Sequence, residues 1–162
     1  MKKSNIFKLV LAVAVLGLAG FRIARFFQQT DGVSEQTYFY DLSEKKLFAA
    51  SREALPPIPG LNDAEEDAVR AVVFAPGENT KDKARRKIAY LEKYAPEFKD
   101  RLAKVRLGEA EPMPRGSRDG LRFVKRVDDA DWFPVSSPEG AKILTEWNVP
   151  GPGGKYPAVC VP

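Results

Sequence analysis

The sequence predicts an α+β protein: an N-terminal transmembrane helix followed by a small mixed sheet packed on a proline-broken helix pair. Three observations carry that prediction. Residues 6–27 are an apolar run with Lys2, Lys3 and Lys8 before or near its start and Arg22 and Arg25 inside its far end. Short aromatic or β-branched stretches bounded by turn residues, QTYFYD from Gln36 and VRAVVFA from Val69, read as strands. From Ala84 to Val105 apolar residues recur at spacings of four and three, with Pro96 interrupting them.

The anchor has two readings. Only 13 uncharged residues separate Lys8 from Arg22, the length of a signal-peptide core. Counted over residues 6–27, at about 1.5 Å per residue, a helix would cover roughly 33 Å and span a bilayer, provided the flanking Lys and Arg side chains reach the headgroups. The Arg pair favours a retained anchor. Gly17 and Ala19 offer the small residues of a cleavage site, so cutting after Ala19 is the competing outcome. Three lysines on the short N-terminal side orient the N-terminus towards the cytoplasm. The chain therefore divides into an anchor, 1–29, and an extracytoplasmic α+β domain, 30–162.

Charge divides in the same place. Five of the 26 basic residues and none of the 22 acidic ones lie in the first 30, leaving 21 against 22 beyond it. The basic character belongs to the anchor, and a near-neutral domain lacks the electrostatic footprint of a nucleic-acid binder. The chain has no His, which removes Ser-His-Asp and Cys-His nucleophile systems and His-ligated metals. Its single cysteine, Cys160, cannot form an internal disulfide and reads as a small buried side chain in a C-terminal strand.

In chain order, residues 30–35 form a short linker. A β-hairpin follows over 36–50 around the polar centre 41–46, with Tyr38, Tyr40 and Leu42 on one face and Phe39 on the other. Those tyrosines are a candidate aromatic surface for a ligand, against the plainer reading of a core-facing row. ALPPIPG, 54–60, is an extended connection because its three prolines lack amide donors. The acidic stretch 62–67 lacks the spacing of an EF-hand loop. Residues 69–75 form a buried strand closed by Pro76-Gly77.

A helix is expected over 81–94, capped by Asn79 or Thr80 with Asp82 in its first turn, and a second or kinked continuation over 97–106. On its outer face Lys81, Lys83, Arg85, Arg86 and Lys87 are candidate contacts for a partner or anionic lipid, or a solvated face. Residues 107–120 form a loop and 121–127 a strand. Asp128, Asp129 and Asp131 admit a calcium or acid-base reading, against a turn that caps a strand. Ser137-Pro138-Glu139 starts a short helix reaching about Trp147, with Ile143, Leu144 and Trp147 inward. A brief edge strand ends the chain.

The stretches YFYDLSEKKLFAA with ALPPI, VRAVVFA, IAYLEKYAPEFK and W-x-P-x-x-S-P-E-G-A-K-I-L resemble an uncharacterised family of small membrane-anchored proteins of planctomycete-type bacteria. Members often carry cysteines in the loop before the helix, where this chain has Pro76 to Thr80. The resemblance implies a tethered envelope protein and carries no activity, cofactor or catalytic residue. The expectation is a non-enzymatic membrane-tethered module that binds a protein partner, with no cofactor and no metal. The alternative is a secreted carboxylate- or calcium-dependent hydrolase built on Asp128, Asp129 and Asp131.

Overall fold

The computed structural model describes residues 34–162 apart from 63–64, 78–79 and 152, together with residues 17, 20 and 22. The anchor reading falls almost wholly outside these residues, as does the cap expected of Asn79. Among the described residues no helix is long and apolar enough to cross a membrane. Contacts divide the chain into two units, Met1–Ser34 and Glu35–Pro162.

The second unit is α+β, with one seven-stranded sheet and two helices. The hairpin forms as expected: β1 (Gln36–Asp41) pairs with β2 (Lys46–Ser51), from Gln36 opposite Ser51 to Asp41 opposite Lys46. Asp41 organises its loop. One carboxylate oxygen accepts from the Glu44 amide at 2.8 Å and the Ser43 hydroxyl at 2.9 Å. The other accepts from the Leu61 amide at 2.7 Å, tying the hairpin to the proline-rich connection. Lys45 closes the turn at φ 53°.

β3 (Ala68–Ala75) is the hub of the sheet. One of its edges is shared by β1, opposite Ala68 to Arg70, and by the C-terminal β7 (Ala158–Cys160), opposite Val73 to Ala75. Its other edge takes β4 (Lys87–Tyr94), followed by β5 (Arg122–Lys125) and the two-residue β6 (Phe133–Pro134). Every pairing is antiparallel, so the sheet is not the mixed one expected.

The helix expected over 81–94 is a turn and a strand. Lys83–Arg85 make one 3-10 turn, in which the Ala84 amide donates to the Asp82 carboxylate, and Lys87–Tyr94 are β4. The apolar spacing Ala84, Ile88, Leu91 and Ala95 fits a helix stripe, but Ile88, Tyr90 and Tyr94 also alternate with period two. The long edge of β3 decides between them, because its amides and carbonyls need a partner. A bulge reconciles the two periods. Val72 faces Tyr90 while Val73 faces Ile88, so Ala89 is an extra residue that turns Ile88 onto the same face as Leu91.

Pro96 therefore marks a boundary rather than a kink. It holds the preceding Ala95 extended, at φ −61° and ψ 146°, and opens α1 (Pro96–Arg106) at the position where a missing amide costs nothing. α1 is fixed by Phe98, which is buried against the Tyr94 ring at 5.2 Å. The second helix, α2 (Pro138–Glu146), starts as expected: the Ser137 hydroxyl accepts from the Gly140 amide at 3.1 Å.

Strand alternation and register sort the core into two faces. Val69, Ala71, Val73, Ala75, Leu91 and Cys160 form a buried cluster, with Tyr38, Tyr40, Leu42, Ile88, Val127 and Trp132 packed against it. On the opposite face lie Phe39, fully buried, and Phe74, whose ring meets Trp147 at 5.4 Å. The two tryptophans thus report on opposite sides of the sheet.

Candidate functional site

A cleft of about 510 Å³ opens where β4 ends and β5 and α1 begin. Its aromatic side chains are Phe123 and Trp132, with Pro57 and Pro96 completing the apolar surface and Tyr94 at its edge. Lys93 stands directly opposite Phe123 in the register, which puts both side chains on the cluster face beside Trp132. Tyr94 is the next residue and points to the other face, where its hydroxyl accepts from Arg70 at 3.1 Å. Burial pushes the Tyr94 phenol up, and the nearby Glu92 carboxylate adds to that.

The charged groups around the cleft divide into paired and unpaired. Lys99 donates to the Pro57 carbonyl at 2.8 Å and to Glu66 at 2.5 Å, so it serves as a strut between α1 and the proline-rich connection. Lys93 has no hydrogen bond and no ion pair among the described residues; its Nζ lies 4.6 Å from the centre of the Trp132 ring. Lys125, on β5, reaches the same ring at 5.3 Å while donating to the Asp129 carbonyl at 2.9 Å. Burial lowers the Lys93 pKa, and the neighbouring Lys125 charge lowers it further.

Beneath the opposite face runs a buried polar pair. Glu92 is only 4% exposed and accepts from Arg122 at 2.7 Å through Nε and 2.5 Å through Nη2. This pair and the Arg70–Tyr94 bond hold β4 against its neighbours directly behind the cleft.

The residues singled out from sequence are placed differently. Lys81, Lys83, Arg85 and Lys87 are exposed, on the turn before β4 and its first residue rather than on a helix face. Arg86 departs from the group: it donates to the Tyr38 hydroxyl and, at 2.8 Å, to the Thr80 carbonyl. One candidate of the basic set thereby meets one of the aromatic set. Tyr40 and Tyr38 are half-buried against the core cluster. Asp129 is held by Arg126, which also bonds Glu139 and Glu146 at 2.9 and 2.5 Å. Asp128 and Asp131 are exposed, and among the described residues no three carboxylate or Cys side chains converge as a metal site.

Lys93, Tyr94, Phe123 and Trp132 were not singled out from sequence, because the helix reading of 81–94 hid which face Lys93 occupies. The period-two spacing of Tyr90, Glu92 and Tyr94, which leaves Leu91 and Lys93 on the other face, is the signal that finds Lys93. In comparisons with known proteins, no family model, no curated protein and no solved structure matches this chain.

Proposed function

We propose that this protein is a non-enzymatic, single-pass module of the bacterial inner membrane, with its folded unit in the periplasm and its cleft occupied by a protein partner in an envelope assembly. The apolar run of 6–27 with its flanking charges supports the placement. The observation that carries the binding reading is the aromatic cleft itself. Apolar pockets of this size with a few polar groups are where ligands and partner segments are held, and aromatic side chains dominate binding energy at protein interfaces. Lys93 comes from β4, Phe123 from β5 and Pro96, Glu97 and Lys99 from α1, while Trp132 is held against the core cluster, so much of the shape exists before the partner arrives.

The hydrolase alternative loses its footing at Asp129, whose carboxylate is already bound to Arg126. The near-neutral charge of residues 31–162 speaks against nucleic acid.

The test is site-specific photocrosslinking of the full-length protein in its native membranes. A photoreactive residue in place of Glu97, exposed at the rim of the cleft, should yield a discrete higher-mass adduct. The same residue in place of Lys142, exposed on α2, should not. Equal adducts from both positions, or none from either, would remove the reading.

A further inference from the structure

We infer that the partner enters the cleft with its C-terminus, placing a free carboxylate at Lys93 and its last apolar side chain on Trp132 and Phe123. This rests on the reading of the cleft as a partner site and names what that site recognises.

Two ammonium groups, Lys93 at 4.6 Å and Lys125 at 5.3 Å, approach one indole ring. The ring's quadrupole attracts each of them, but the two cations repel each other, and desolvation weakens the hydration that would screen them. Lys125 is anchored by the Asp129 carbonyl. Lys93 has only the ring. Of the carboxylates lining the cleft, Glu66 is engaged by Lys99 and Glu97 is exposed on the first turn of α1. An anion at Lys93 relieves the repulsion and completes a charge-assisted hydrogen bond where none exists.

Size and shape narrow the anion. A cleft of about 510 Å³ holds a few residues rather than a long segment. An occupant that short must supply both the charge and the apolar body. A chain terminus does so most compactly, since its carboxylate and its last side chain leave the same Cα and no long side chain has to be ordered. The apolar wall of Phe123 and Trp132 next to Lys93 matches that pairing.

The test uses full-length protein in lipid nanodiscs, labelled with 5-fluorotryptophan so that Trp132 and Trp147 give two fluorine resonances. The probes are N-acetyl-Leu-Phe with a free carboxylate, the same dipeptide as its amide, and N-acetyl-Leu-Asp-Phe-amide, which carries its carboxylate internally. The free acid should shift the Trp132 resonance saturably and leave Trp147 unmoved. The amide should bind about tenfold more weakly, the scale of one hydrogen bond to a charged group. K93M should erase the preference for acid over amide while Trp147 keeps its resonance, showing the fold intact.

Equal binding of acid and amide overturns carboxylate recognition. Binding of the internal acid as tightly as the free terminus overturns the terminal assignment. No shift with any probe, while the Glu97 photocrosslink still forms, overturns the inference but leaves the partner reading standing. Loss of the crosslink as well removes both.

Discussion

At the scale of single residues, two carboxylates are used in opposite ways. Asp41 is buried and ionised because three donors converge on it. The Leu61 amide does most to hold its pKa below the usual value, followed by the Glu44 amide, with the Ser43 hydroxyl helping against the cost of burial. A depressed carboxylate pKa stabilises the fold fully above the unfolded value, near pH 4, and the contribution is lost as pH falls through the lower folded pKa. D41N should therefore lower the urea midpoint at pH 7. The midpoints of wild type and variant should converge below pH 4, because wild type loses the same interactions there. A gap that stays constant down to pH 2 would assign the effect to packing instead. Glu92 depends on one partner. Replacing Arg122 by Met leaves the carboxylate buried without its cation, and the cost should be about 3 kcal/mol, the low end for a broken buried pair because Arg122 is itself 33% exposed. The double variant E92L/R122M should recover most of that loss in the same denaturant titration.

At the scale of elements, α2 docks through its lack of a side chain. A Cβ added at Gly140 would stand 2.0 Å from the Pro134 carbonyl oxygen and 2.8 Å from its carbon. Both are backbone atoms of β6, itself fixed by the Ser137 hydroxyl at 2.7 Å from the same carbonyl. G140A should therefore cost about 3 kcal/mol, the upper range for overpacking, and displace α2 from β5 and β6. Thermal melting with far-ultraviolet circular dichroism would show a lowered midpoint; a wild-type melt would mean that β6 gives way freely. The start of this helix was legible in Ser137-Pro138-Glu139 because capping is local chemistry, while the contact that makes Gly140 necessary lies across the fold. The same division runs through the chain. The hairpin, the 69–75 strand, α1 and the terminal strand follow from patterns held within a few residues. β4 does not: Ile88, Tyr90 and Tyr94 against Ala84, Ile88, Leu91 and Ala95 leave two periods in one segment, and only the edge of β3 chooses. With that choice went the cleft, since Lys93 and Phe123 become neighbours only through the pairing of β4 with β5.

At the scale of the whole molecule, the uneven distribution of charge makes the proposed tether testable. If electrostatics held the protein at the membrane, the holding charge would have to lie in the folded unit or in the first 30 residues. Residues 31–162 carry 21 basic against 22 acidic groups, too balanced for strong attraction to anionic lipid. Five basic residues near the apolar run could provide attraction, but that contribution is screened at high salt, whereas burial of a spanning helix is not. Membranes from cells expressing the full-length protein should therefore retain it through 1 M salt and through alkaline carbonate, and release it only to detergent. Its intact mass should include the first 19 residues. Release by salt would assign the attachment to surface charge. A soluble species beginning at Gly20 would mean that the segment ending at Ala19 is removed, and the cleft would then meet its partner in free solution. Retention with the full mass makes the encounter two-dimensional, so a weak contact at Lys93 and Trp132 would act at the high effective concentration that tethering confers. Moving the folded unit off the membrane, by deleting residues 1–30 while keeping it exported, should then reduce the Glu97 photocrosslink more than it reduces dipeptide binding.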